Sequence, residues 1–200
     1  MTKVFLSVAM ATILMTGTAV AQHSSQKAAI GVKGGLNLYT IKQAQGINYD
    51  AKVGFNAGLL AHIHLVKHVA LQPEIVYSRQ GGKGSGAGVA FERNLDYINV
   101  PVLAQYMFDN GFRIEAGPQV GILVNATHKS GNTLTTDVKS FYKTADVGLA
   151  GGISYVHPAS GFGVDLRYNL GLSNINKDNN VKSTNQGGQL GIFYLFSHRH

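Results

Sequence analysis

The chain contains no cysteine and no tryptophan in 200 residues. Without a thiol it has no disulfide framework, no thiolate metal site and no cysteine nucleophile. Charge is also scarce. Asp, Glu, Lys and Arg together make 14% of the residues, where a soluble domain carries about 25%. Long apolar runs are missing once the N-terminus is passed, and no later stretch approaches the ~20 residues that a spanning helix needs. Hydrophobic content of 44% is too low for a helical membrane protein. Acidic residues are outnumbered, with 17 Lys and Arg against 10 Asp and Glu for a formal charge of +7. These cations are scattered singly, with no basic helix or aromatic–basic cluster, which argues against nucleic acid as a partner. Anionic lipid head groups are the expected counter-charge.

Two positive features remain, and the first is an export address. Lys3 is followed by a mostly apolar stretch at 4–15, then by Ala19-Val20-Ala21, a small-x-small cleavage site before Gln22. Residues 1–21 therefore read as a cleaved signal peptide and residues 22–200 as a single domain. A membrane anchor is the alternative, but the run is short and ends in Thr16, Gly17 and Thr18.

The second feature is alternation. Eight segments place apolar and polar residues at period two: 28–40, 52–65, 69–79, 95–108, 112–124, 145–155, 162–172 and 188–196. The clearest sets Val53, Phe55, Ala57, Leu59, Ala61, Ile63 and Leu65 on one face, with Lys52, Asn56, His62 and His64 on the other. Period two marks strands with one apolar and one polar face. Short links at 66–68, 109–111 and 157–161 alternate with long polar ones at 41–51, 80–94, 125–144 and 174–187. Short periplasmic turns and longer outer loops are the habit of outer-membrane barrels. Hydrocarbon tolerates no open sheet edge, so the strands must close into a ring. The expected fold is all-β: an eight-stranded antiparallel up-and-down transmembrane barrel behind a cleavable signal peptide. A soluble periplasmic ligand-binding barrel is the competing architecture.

Tyr39, Tyr77, Tyr106, Phe108, Phe112, Tyr155, Phe162, Tyr168, Tyr194 and Phe196 fall mostly near segment ends, where head-group girdles form. Pro73, Pro101 and Pro118 sit inside predicted strands. A proline there removes a ladder bond, so bulges or irregular pairing are expected around all three.

The stretches Leu95-Asp96-Tyr97-Ile98-Asn99-Val100-Pro101-Val102-Leu103, Gly117-Pro118-Gln119-Val120-Gly121, Asp146-Val147-Gly148-Leu149 with Gly151-Gly152, Asp165-Leu166-Arg167-Tyr168-Asn169-Leu170-Gly171-Leu172, and Gly191-Ile192-Phe193-Tyr194-Leu195-Phe196 resemble the PorT-like outer-membrane β-barrel family of the Bacteroidota, often labelled a porin family. The resemblance covers nearly all of the chain after residue 21. It implies an eight-stranded outer-membrane barrel of no assigned activity, and it makes Pro101 an expected residue. The tail Ser197-His198-Arg199-His200 is a departure, because such barrels often end on the aromatic residue that the barrel-insertion machinery reads.

Strand parity sends Lys33, Arg113 and Arg167 into the lumen with Glu74, Glu115, Asp146 and Asp165. Isolated buried charges are expensive, so these seven are expected to pair and plug the tube. A narrow small-solute channel is the alternative. His62-x-His64 is the one candidate metal pair, with Glu74 or Glu115 as a third ligand, although ordinary lumen histidines are the simpler reading. No cofactor is expected. A lipid-modifying enzyme would need a serine with a base in reach. Ser78, Ser154 and Ser173 face inward or lie near loops, while His128 and Ser130 share a long link flanked by Lys129 and Gly131. Gly81 to Gly88 has no phosphate-loop spacing and reads as a mobile outer loop. The long links carry Lys42, Lys83, Arg93, Lys129, Lys139, Lys143, Lys177 and Lys182 against Asp50, Glu92, Asp137 and Asp178. Such a basic rim suits lipopolysaccharide phosphates. The sequence thus predicts a monomeric structural or interaction barrel in outer-membrane lipid, and no enzyme.

Overall fold

The structure is a computed structural model that describes residues 28–43, 49–86, 89–131, 134–178 and 180–196. The proposed signal peptide and the tail 197–200 lie outside the described residues. Among the described residues nine strands form: β1 (Ala28–Gln43), β2 (Asp50–Val66), β3 (Val69–Gly86), β4 (Val89–Met107), β5 (Phe112–Ser130), β6 (Leu134–Asp137), β7 (Ala145–Val156), β8 (Phe162–Gly171) and β9 (Ser183–Leu195). Every pairing is antiparallel. The chain runs through β1, β2, β3, β4, β5, β7, β8 and β9, and β9 pairs back onto β1. This is a closed eight-stranded barrel. β6 is an extra hairpin arm that pairs only with β5.

Closure turns the usual core inside out. Ile30, Leu36, Val53, Leu59, Ile75, Leu166, Leu190 and Ile192 all point outward with more than half of their surface exposed. Lys33, Glu74, Glu115, Asp165 and Arg167 are buried. That arrangement suits acyl chains outside and no soluble environment, because an apolar surface of this extent marks a membrane or protein contact.

At the end with short turns, a ring of aromatics faces outward. Tyr106 touches Phe108, Phe112 touches Tyr155, and Tyr194 bridges Phe162 and Phe196, with ring centroids 4.8–5.3 Å apart. The predicted girdle therefore forms there. Tyr39 does not belong to it. Its ring is 1% exposed inside the barrel, and its hydroxyl accepts from Gln189 Nε2 at 3.3 Å, because position 39 shares its face with Lys33 and Asn37. The turn 109–111 closes on Gly111 at φ +91°, a value that L side chains resist.

Register is constant across the prolines. Pairs are missing at 61–62 opposite 72–73, at 74–75 opposite 100–101, and at 102–103 opposite 117–118, yet the residues on either side keep step. The shifts fall elsewhere, between Ala51 and Asn56, between His64 and Val66, and at Asp96/Tyr97, where Val124 and Asn125 are both exposed. Each proline thus removes ladder bonds without inserting a residue.

The outer end corrects the predicted loops. The link expected at 80–94 is mostly strand: β3 and β4 continue as a hairpin to Gly86 opposite Val89. Gly81 to Gly86 is therefore a paired strand end and not a loop. Glycines recur because rings press on the backbone there; a Cβ at Gly84 would meet the Phe91 ring at 2.6 Å, and one at Gly82 would meet Tyr49 at 2.9 Å. The barrel is consequently lopsided, with β3, β4 and β5 of 18 or 19 residues against 10 for β8.

Candidate functional site: the lumen and the outer rim

Inward parity brings six of the seven predicted lumen charges into one layer. Arg167, on β8, donates from Nη1 to Glu74 Oε2 at 2.9 Å and from Nη2 to Glu115 Oε1 at 2.7 Å. Lys33 Nζ sits 3.4 Å from both Glu74 Oε2 and Asp165 Oδ2. Gln72 Nε2 donates to Glu74 Oε1 at 2.8 Å, and Gln105 Nε2 donates to Glu115 Oε2 at 2.7 Å. Arg113 lines the same layer, its Nη1 3.4 Å from His62 Nδ1. Three cations face three carboxylates, and strands β1, β3, β5 and β8 are tied across the tube. A planar guanidinium that grips two carboxylates at once is a job lysine cannot do.

Apolar clusters plug the two ends of the lumen. Ala29, Leu60, Val156, Phe193 and Leu195 close the end with short turns. Ile41, Leu95, Tyr97, Leu123, Ala126, Val138, Tyr142 and Ile175 close the outer end, with Tyr49 against them. Sequence reasoning missed both plugs, since inward-facing Leu and Phe break the polar alternation at single positions only.

Asp146 is the exception to the predicted network. Strand parity put it inside correctly, but it stands higher. It accepts from Ser173 Oγ at 2.6 Å and from the Val147 amide, while Lys33 and Arg167 pair with Glu74, Glu115 and Asp165 instead. It lines a small cavity of about 10 Å³ with Tyr39, Gln80, Gln119, Asn169 and Asn185.

His62 and His64 do come together, with ring centroids 4.6 Å apart. The Arg113 guanidinium stands 3.4 Å from His62 Nδ1 and disfavours a metal cation there. Among the described residues no three His, Asp or Glu are placed to hold a metal. His128 and Ser130 lie on β5, not in a loop, and His128 packs against Phe91 at 5.5 Å. A Ser–His contact that the sequence did not suggest joins Ser160 Oγ and His157 Nδ1 at 3.2 Å in the turn before β8. Ser160 Oγ also accepts from the Phe162 amide at 3.3 Å, so the pair staples a turn.

On the outer rim, part of the predicted positive charge is spent locally. On β3 and β4, Arg79 binds Asp96 at 2.8 Å, and Asn125 Nδ2 donates to Asp96 at 3.0 Å. Glu92 takes Lys83 at 3.5 Å and Lys52 at 3.7 Å, with Lys129 opposite it on β5. Arg93 turns inward to Tyr142 Oη at 2.7 Å, where burial pushes the Tyr142 phenol above its ordinary pKa. Lys42, Lys129, Lys177 and Lys182 remain exposed. These polar rows run along the outside of the tall strands, so the acyl zone on that side ends near Phe55 and Tyr77, where Arg79 caps the Phe55 ring at 5.6 Å.

An outward apolar wall, an inward charge layer and a closed ring together define an outer-membrane β-barrel. The sequence profile of the outer membrane protein beta-barrel domain matches residues 20–177, and the chain belongs to that family. Among solved structures, the fold is similar to Neisserial surface protein A, at TM-score 0.52 and 14% identity over 85% of this chain and 99% of that one. It is likewise similar to Ail, the attachment invasion locus protein of Yersinia pestis, at TM-score 0.50 and 16% identity over 85% and 99%. Among curated proteins no relative matches the sequence.

Proposed function

We propose that this outer-membrane barrel is a structural or interaction protein with a closed lumen. One observation carries the reading: a neutral charge layer, buried on all members and tied across four strands, lies between two apolar plugs. An ion entering such a tube has to displace Arg167 from two carboxylates at once. Planar-bilayer recording tests the proposal. Purified protein is expected to leave the bilayer silent, and stable unitary currents would establish the narrow-channel reading instead.

The remaining assignments belong to the same proposal. Residues 1–21 direct export and are removed, so N-terminal sequencing of the outer-membrane fraction should begin at Gln22. The chain is placed in the PorT-like branch of Bacteroidota barrels on the stretches around Pro101, Pro118 and Arg167. Barrel-insertion machinery folds it as a monomer. Exposed Lys42, Lys129, Lys177 and Lys182 support contact with lipopolysaccharide phosphates. No catalytic role is assigned.

A further inference from the structure

We propose that the cavity beside Asp146 is a binding site for one small monovalent cation, sodium in kind, held between β1, β3, β5, β7, β8 and β9. Charge accounting is the first argument. Lys33, Arg113 and Arg167 offset Glu74, Glu115 and Asp165 lower in the tube, and every Arg167 hydrogen bond goes to Glu74 or Glu115. Asp146 is left with two neutral donors, the Ser173 hydroxyl and the Val147 amide. A largely enclosed carboxylate without a counter-charge is costly, and a cation relieves it.

Unused oxygens are the second argument. Asn169 and Asn185, each 3% exposed, line the same cavity. The Asn169 side-chain amide meets the Tyr39 hydroxyl, but its Oδ1 finds no partner, and Asn185 Oδ1 is equally unmatched. Asn185 Nδ2 is already committed to Gln80. Buried amides in a native lumen are normally satisfied, so orphaned oxygens that line one cavity with a carboxylate ask for a guest. Carboxylate, amide and hydroxyl oxygens are hard donors that suit alkali or alkaline-earth cations and not zinc or copper. A single carboxylate balances a single positive charge. The cavity, about 10 Å³, holds one body the size of a water molecule.

Thermal unfolding of the folded barrel in detergent, in sodium chloride against choline chloride at equal ionic strength, tests the site. With sodium at about ten times its Kd, wild-type Tm is expected to rise by about 3–6 °C. In Asp146→Asn the rise should vanish. Asn169→Leu keeps the charge but loses one oxygen, so its sodium midpoint should move upward at least threefold. Crystals soaked in thallium(I) should show an anomalous peak beside the Asp146 carboxylate in wild type and none in Asp146→Asn. An equal sodium effect in wild type and Asp146→Asn would overturn the proposal, as would a wild-type crystal without the thallium peak.

Discussion

The lower and upper halves of the lumen are lined by the same strands, yet they meet the demand for satisfied polar groups differently. Below, charges do the work: Arg167 and Lys33 reach across the tube, and Glu74 and Glu115 each accept more than one bond. Above, amides dominate. Asn37 Nδ2 donates to Ser78 Oγ and to the Phe55 carbonyl, both at 2.9 Å, and Asn56 Nδ2 donates to Asn37 Oδ1 at 2.7 Å, but Asn99, Asn169 and Asn185 retain unmatched atoms. A charged layer is intolerant of any single loss, since each deletion strands an opposite charge in low dielectric. An amide layer with spare atoms should tolerate apolar replacement, because a group that makes no bond loses none.

Arg167→Met tests the intolerant half most severely. It abandons Glu74 and Glu115 together, and urea unfolding followed by heat-modifiable gel migration should show a loss of about 3–5 kcal/mol. If that variant unfolds like wild type, the charge layer is decorative and the contrast fails. Leu166→Arg, beside it on β8 but facing outward, should cost about 2–4 kcal/mol in lipid vesicles. The same measurement on Thr127→Arg, on the outer flank of β5 above the acyl zone, should show a far smaller change. Gly163→Ala probes the lower plug. Its Cβ would overlap the Phe193 ring, so overpacking should cost about 1–3 kcal/mol by the same unfolding assay. The smallest effects belong to the upper half and the rim. Asn169→Leu in choline buffer should stay within about 1 kcal/mol of wild type. Lys83→Ala, which loses a partly exposed ion pair to Glu92, should cost at most about 1 kcal/mol and less in high salt.

Facing was legible in the sequence; height was not. Period two assigned Val53, Leu59, Ile75 and Leu166 to the outside and Lys33, Glu74, Arg113 and Glu115 to the inside, because a strand offers a side chain only two directions. How far up the tube a residue lies depends on the stagger of neighbouring strands, which a single strand does not encode. Asp146 and Asp165 therefore looked equivalent, yet only Asp165 lies in reach of Lys33. The strand ends were obscured for another reason. Beyond the acyl zone both faces turn polar, so Arg79, Lys83, Glu92 and Asp96 erase the alternation while the ladder itself continues. Tyr39 was misread as a girdle ring because aromatic type was weighed above its parity. At the prolines the irregular pairing expected from the sequence takes the form of missing ladder pairs, and no bulge accompanies it.

The unequal strands have a consequence for anything approaching from the aqueous side. β4 exceeds β8 by ~30 Å of chain at about 3.3 Å per residue. The mouth is therefore a slanted collar, with a raised palisade along β3–β5 and a low sill at β7–β9. The molecule thus presents itself to its surroundings with a front and a back.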